Sequence, residues 1–319
     1  MQAHLVLSDG STAEADTGAV TLALASKKSF WLDVVDLDDI GMSWLTGVFR
    51  FHPLAVEDAE HFGQRPKLDR YDDFAQLVLY GAADEEANST EVHVLYSDDY
   101  VVTVRRGACK VMDDVRERAV AWRHHDAASS IMLLYRIADA LVDSYFPVMA
   151  RFDDKIDELE EAILKEPTEA QVGTLFAMKR QLISLRKLVT PERDMMASVL
   201  VGGSDLPGMT DDAERYFRDL YDHLIRLSDL VDSYRDLLTS AVDTHLSTVS
   251  NRLNEVMKQL AIIATIFLPL SFLTGFFGQN FAWLVNRIGG FWQFAVLGLG
   301  GEALAIFLLL RMFRRRGWM

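Results

Sequence analysis

The sequence predicts an α/β cytoplasmic domain that continues into a long α-helical stalk and ends in two transmembrane helices. Three observations carry that prediction. The first 107 residues alternate short β-branched or aromatic runs with helical spacing. From Gly107 onward the apolar period is helical almost without interruption. Two apolar segments near the C-terminus are each long enough to cross a bilayer. The expected divisions are 1–124 for the α/β domain, 125–258 for the stalk, 259–280 for the first span, 281–290 for an external loop, 291–310 for the second span and 311–319 for a basic tail.

Taken in order, the strand candidates are HLVLSD, SFWLDVV, FAQLVLYGA, EVHVLYSD and YVVTVRRG, each bounded by turn residues. Between them MSWLTGVFRF and HPLAVEDAEHF carry helical spacing. Helices are expected over 108–124, 128–165 and 168–200, with Pro167 at a break, and VGGSDLPGM (201–209) reads as a loop. From Asp211 no proline intervenes until Pro269, so one helix is expected to run from there into the first span.

Residues 259–277, QLAIIATIFLPLSFLTGFF, carry no charge; at ~1.5 Å per residue they reach about 28 Å, close to the thickness of a hydrocarbon core. Residues 291–310 hold a single acid, Glu302. Arg287 is the one basic residue between the spans, whereas Arg311, Arg314, Arg315 and Arg316 follow the second. The positive-inside rule then places both termini in the cytoplasm, with the spans in the cytoplasmic membrane. Trp283 and Trp292 fall at the outer ends of the spans, where interfacial tryptophans belong. The N-terminus lacks the basic and apolar regions of a signal peptide.

Composition excludes several classes. Half the residues are apolar, which rules out a disordered chain, and a formal charge of −15 speaks against nucleic-acid binding. Cys109 is alone, so there is no internal disulfide. No HExxH, P-loop or GxSxG pattern is present, and no enzyme activity or organic cofactor is expected.

The expected long helix carries a pattern. Asp222, Asp229, Asp236 and Asp243 recur every seven residues, and the register continues through Ser250, Asn254, Met257, Ala261, Ala264, Leu268, Ser271, Gly275 and Gly278. A seven-residue stripe keeps one face only where helices supercoil. The opposite side is apolar: Leu220, Leu224, Leu227, Val231, Leu238, Leu246, Val249 and Leu253. Two readings stand. The aspartates form a solvated outer face and the small residues a helix-packing seam, or the whole stripe lines a narrow polar path. The second requires an oligomer, because two spans cannot enclose a path.

The stripe ends on Gly278-Gln279-Asn280. In a ring of subunits Asn280 would repeat as a circle of amide oxygens, joined by backbone carbonyls where the helix ends. Neutral oxygens hold a hydrated divalent ion without trapping it, which suits Mg²⁺, an ion slow to shed its water. Taken alone, a Gly-x-Asn tripeptide is also what a helix C-cap and turn would look like.

Residues 257–281, MKQLAIIATIFLPLSFLTGFFGQNF, resemble the first span and Gly-Met-Asn signature of the CorA family of divalent-cation transporters. FHPLAVEDAEHFGQRPKLDRYDDFAQLVLY (51–80) and VVTVRRG (101–107) resemble that family's cytoplasmic domain. The resemblance implies a homopentamer with a funnel-shaped cytoplasmic part, a pore lined by the first span, and gating by divalent ions on cytoplasmic acids. On this chain it implies pore-lining roles for Asn254, Met257, Ala261, Ala264, Leu268, Ser271 and Gly275. Asp219, Asp222, Asp229, Asp236 and Asp243 become candidates for regulatory Mg²⁺.

Two departures bear on the ion. Gln279 replaces the usual methionine, and the loop 281–290 holds Arg287 where magnesium-transporting members carry acids. Both features fit a proton-coupled Zn²⁺ branch of the ZntB type as the alternative. A non-transporting membrane scaffold or metal sensor is the alternative of another class. Glu302, an acid within a span, is a candidate proton site or a structural acid. His52, Glu57, Asp58 and His61 read as a solvated helix face, and His124-His125-Asp126 as a polar turn.

Overall fold

The computed structural model describes residues 1–84, 87–119, 129–201, 206–279, 281–287 and 289–318. The chain opens with β1 (Gln2–Leu7), β2 (Thr12–Glu14), α1 (Thr17–Ala25) and β3 (Phe30–Val35). Asp16 accepts the Ala19 N–H at 2.7 Å and so caps α1. Helix α2 (Asp39–Ser43) runs into a π-helical turn (Trp44–Val48), and α3 (Pro53–Glu60) starts on a proline. Strands β4 (Lys67–Arg70), β5 (Ala75–Ala82), β6 (Ser89–Tyr96) and β7 (Tyr100–Arg105) complete a sheet of order β2-β1-β3-β7-β6-β5-β4. β3 and β7 pair parallel and the other neighbours antiparallel.

Side-chain alternation explains the layering. On β3, Trp31 packs into one core and Phe30, Leu32 and Val34 into the other; on β7, Val101 faces one way and Val102 and Val104 the other. Helices α1 to α3 cover the second core. The first is covered by α4 (Lys110–Ala119), α5 (Ser130–Asp143), α6 (Tyr145–Lys165) and α7 (Glu169–Val201), with the beginning of α8 (Asp211–Phe277). A sheet covered on both faces reads as continuous apolar runs, and all eight residues of β5 are buried.

The five expected strands all form. β2, β4 and α1 were not expected: β2 is three exposed residues, β4 is the charged edge KLDR, and TGAVTLALA is apolar on every side. The single helix expected over 128–165 breaks at Ser144, which belongs to neither α5 nor α6. Its hydroxyl donates to the Leu141 carbonyl and accepts the Ala82 N–H at 2.7 Å, so the break ties the helices to the end of β5. Gly81 allows that approach, since a Cβ there would stand 2.8 Å from Leu141. The expected helix over 108–124 is α4 up to Ala119; His124-His125-Asp126 lies outside the described residues.

The chain divides into two compact units, Met1–Val242 and Asp243–Met319, and the division falls inside α8. In the first unit Phe217, Leu220, Leu224, Leu227, Val231, Tyr234, Leu238 and Ala241 are buried at alternating spacings of three and four. That is a coiled-coil-type seam. In the second unit Leu246 and Leu253, expected on the packed side, are exposed at 62% and 61%, since the buried apolar seam of α8 stops at Ala241. The second unit also holds α9 (Ala282–Arg287) and α10 (Phe291–Arg315), which contains a π-helical turn at Phe294–Gly300. The helices α8 and α10 are each long and apolar enough to cross a membrane.

Candidate ion path and metal cluster

In the second unit, α8 ends where the signature begins. The Gly278 N–H donates to the Thr274 carbonyl at 2.9 Å, and the Gln279 N–H to Phe276 at 3.3 Å, a tightened last turn. Asn280 lies outside the described residues. Gly278 and Gln279 are exposed, as are Asp243, Asn254, Met257, Ala261, Ala264, Leu268, Ser271 and Gly275. The side chain of Leu268 is bare at 76% and that of Met257 at 62%, values untenable in water for a folded face of this size. This face is therefore made for lipid or for other copies of the chain. Glu302, on α10, stands 2.8 Å from the Thr274 hydroxyl.

In the first unit Asp219, Asp222, Asp229 and Asp236 are all exposed. At about 100° per residue, Asp222, Asp229 and Asp236 sit opposite the buried seam of α8. Asp236 pairs with Arg235 at 3.2 Å. Asp219 has a different neighbourhood. Its Oδ2 stands 4.0 Å from His223 Nε2, while His223 Nδ1 is 3.1 Å from Asp143 and 3.8 Å from Asp139. One ligand atom each from Asp139, Asp143 and His223 lies within 4.8 Å of the others. Two i,i+4 pairs build this group, Asp139 and Asp143 on α5 and Asp219 and His223 on α8.

Burial, and then the charge of Asp143, hold the Asp139 carboxyl above the usual aspartate range. His223 Nδ1 meets the carboxylates of Asp143 and Asp139 at ion-pair distance without the geometry of a hydrogen bond. Phe146 meets the His223 ring edge-on at 5.8 Å, which fixes its plane. A histidine with carboxylates offers a ligand set for a divalent transition ion, and its oxygens alone suit hydrated Mg²⁺. Sequence reasoning singled out Asp219 and missed Asp139, Asp143 and His223. The i,i+4 spacing of Asp139 and Asp143 was visible, but nothing in the sequence says that α5 and α8 lie side by side.

Several other polar groups of the first unit hold its fold together. Asp58 pairs with Lys67 at 2.5 Å and accepts from Gln64, and His52 caps α3 by accepting the Leu54 N–H. Cys109 is buried in the core. Asp33 and Arg105 are buried together at 3.1 Å, and Arg116 and Asp113 complete a four-member network.

The sequence profile described as CorA-like Mg2+ transporter protein matches residues 26–315. The chain belongs to the CorA family. It is 33% identical over 299 residues to the cobalt/magnesium transport protein CorA of Thermotoga maritima, covering 91% of this chain and 83% of that one. It is 30% identical over 235 residues to the zinc transport protein ZntB of an Enterobacter species, covering 72% and 69%. The solved CorA magnesium transporter of Methanocaldococcus jannaschii has the same fold, with a TM-score of 0.81 at 22% identity, covering 100% of this chain and 99% of that one. As a CorA family member, this is a membrane transport protein for divalent metal ions, with two candidate spans.

Proposed function

We propose that this chain carries divalent cations, Mg²⁺ foremost, across the cytoplasmic membrane through a pore built from five copies of itself, with both termini in the cytoplasm. The observation that carries this reading is the bare face of α8 in the second unit, which Gly278-Gln279-Asn280 follows in sequence. In such a pore Gly278 and Asn280 receive the hydrated ion at the outer mouth. Ser271, Ala264 and Asn254 offer small or polar walls, and Leu268 and Met257 form apolar constrictions that shed water when the pore is shut.

Cytoplasmic divalent ions close the pore in this account. Asp222, Asp229, Asp236 and Asp243 present acid away from the chain's own packing, and Asp219 joins His223, Asp139 and Asp143. Bound cations neutralise repulsion between these carboxylates and favour a closed arrangement; losing them lets the subunits move apart. Replacing the stripe aspartates with asparagine is expected to leave transport active at high internal Mg²⁺. Unchanged inhibition would contradict the gating scheme.

A second reading, proton-coupled Zn²⁺ transport, has an observation of its own: the segment 281–290 has no acid and holds Arg287, which repels rather than gathers cations. Uptake into liposomes carrying the purified protein separates the two. Mg²⁺ uptake that follows membrane potential and ignores a pH gradient supports the magnesium channel. Zn²⁺ uptake that requires the pH gradient replaces it with the zinc reading, and no uptake of either ion favours a scaffold or sensor.

A further inference from the structure

Both aspartates of the metal cluster also line a cavity of about 210 Å³ formed by residues of α4 and α5. Arg136, Asp139 and Asp143 stand at i, i+3 and i+7 on α5, which places them on one face of that helix. Ala140, which lines the cavity with them, is too small to fill it. Arg118 of α4 lines the same cavity. Its Nε donates to the Asp114 carbonyl of its own helix at 3.1 Å, and it has no ion pair among the described residues.

Charge decides what this cavity takes. Its lining carries two guanidinium groups and two carboxylates, which balance. A divalent ion on Asp139, Asp143 and His223 adds two positive charges at the wall. The balance is then positive, and in a partly dry site that is costly unless an anion joins. Coordination chemistry points the same way. Three side chains fill about half of the octahedral shell that Mg²⁺ demands, and its other positions are commonly taken by water or phosphate oxygens. The guanidinium fork of arginine matches a phosphate group with two parallel hydrogen bonds.

We propose that this cavity is a phosphate site coupled to the cluster: a phosphate group held by Arg118 and Arg136 binds together with the divalent ion on Asp139, Asp143 and His223. The two ligands are then linked, each raising the affinity for the other by the same factor. This site depends on the metal-cluster reading above. In the gating scheme, the cytoplasmic signal becomes the ion and phosphate together rather than the ion alone.

The test is calorimetric titration of the full-length protein in detergent with Mg²⁺, in chloride and in inorganic phosphate at equal ionic strength. Phosphate is expected to raise the Mg²⁺ affinity about five- to tenfold, the low end of couplings between linked sites. Arg118→Gln and Arg136→Gln are expected to abolish that gain. Both leave the Mg²⁺ affinity in chloride equal or higher, because each removes a positive charge beside the ion. Arg118 is exposed and bonds only its own helix among the described residues, so Arg118→Gln keeps the fold. Adenosine monophosphate distinguishes the source. A gain with it as well as with phosphate assigns a phosphate ester, a gain with phosphate alone assigns the free ion, and either supports the site. Equal Mg²⁺ affinity in chloride and in phosphate overturns it, as does a gain that survives both arginine variants. Failure of the cluster itself reads differently: Asp139→Asn would leave the Mg²⁺ affinity in chloride unchanged, and the phosphate site falls with it.

Discussion

The two units of this chain obey different rules. In Met1–Val242 the apolar side chains between the sheet and its helices form two buried cores, and a buried charge such as Asp33 has Arg105 and Arg116 against it. In Asp243–Met319 large apolar side chains stand bare, with Phe272 exposed at 70% and Trp292 at 77%. The contrast teaches where each unit finds its stabilising partner. The first finds it within its own sequence, whereas the apolar faces of the second call for a partner outside the chain, lipid or another copy. Helix α8 contains both rules, since its seam from Phe217 to Ala241 is buried by its own chain, whereas Leu246, Leu253 and Leu268 are exposed.

The comparison can be broken first at Asp33. Asp33→Ala leaves two arginines facing a buried vacancy, and truncating one partner of a buried pair costs about 3–5 kcal/mol. Thermal unfolding of the detergent-solubilised protein is expected to show that loss, and a shift too small to measure would mean the network is solvated.

A matched pair of leucines gives the next test. Leu224→Ala in the buried seam is expected to cost about 2–5 kcal/mol. Leu268→Ala is expected to stay within about 0.5 kcal/mol in unfolding, as exposed positions do, while altering ion flux. Equal destabilisation by both would show that the face bearing Leu268 is packed as tightly as a core.

Glu192 sharpens the comparison by showing what the first unit tolerates inside. It is buried on α7 and accepts the Tyr80 N–H at 2.6 Å, and burial pushes its carboxyl up to about 8. A folded value above the unfolded 4.5 means the folded state holds this proton more tightly. Stability from it is complete below about pH 4.5 and is lost as pH rises through about 8. At about 1.4 kcal/mol for each pKa unit, the effect amounts to a few kcal/mol at most. Glu192→Gln is expected to flatten the fall in unfolding temperature between pH 5 and 9, and an unchanged slope would assign that fall to other groups.

The smallest effect is expected at the metal cluster. His223→Ala removes one ligand from the group with Asp139 and Asp143, and calorimetric titration with Co²⁺ or Zn²⁺ should show affinity reduced by about tenfold or more. Unaltered affinity would mean that this group does not hold the ion, with the aspartate stripe the next place to look.

Much of this architecture was legible because burial leaves a period in sequence. The runs FWLDVV and AQLVLYGA announce strands covered on both faces, and the absence of proline between Asp211 and Pro269 announces α8. Edge strands escaped because solvent asks no pattern of KLDR. The break at Ser144 escaped because its cause is a bond to Ala82 on a distant strand. The aspartate stripe and the signature were readable as a one-dimensional repeat. The cluster of Asp139, Asp143 and His223, and the Thr274–Glu302 contact, were not, because each depends on which helices become neighbours.

The central claim is that the bare face of α8, followed in sequence by Gly278-Gln279-Asn280, conducts. The most direct measurement compares Mg²⁺ uptake by wild type and Asn280→Ala in liposomes of equal protein content and equal oligomeric state. The account predicts uptake in the wild type that is abolished or loses its ion preference in the mutant. Equal uptake by both proteins, with the same preference among divalent ions, would contradict it.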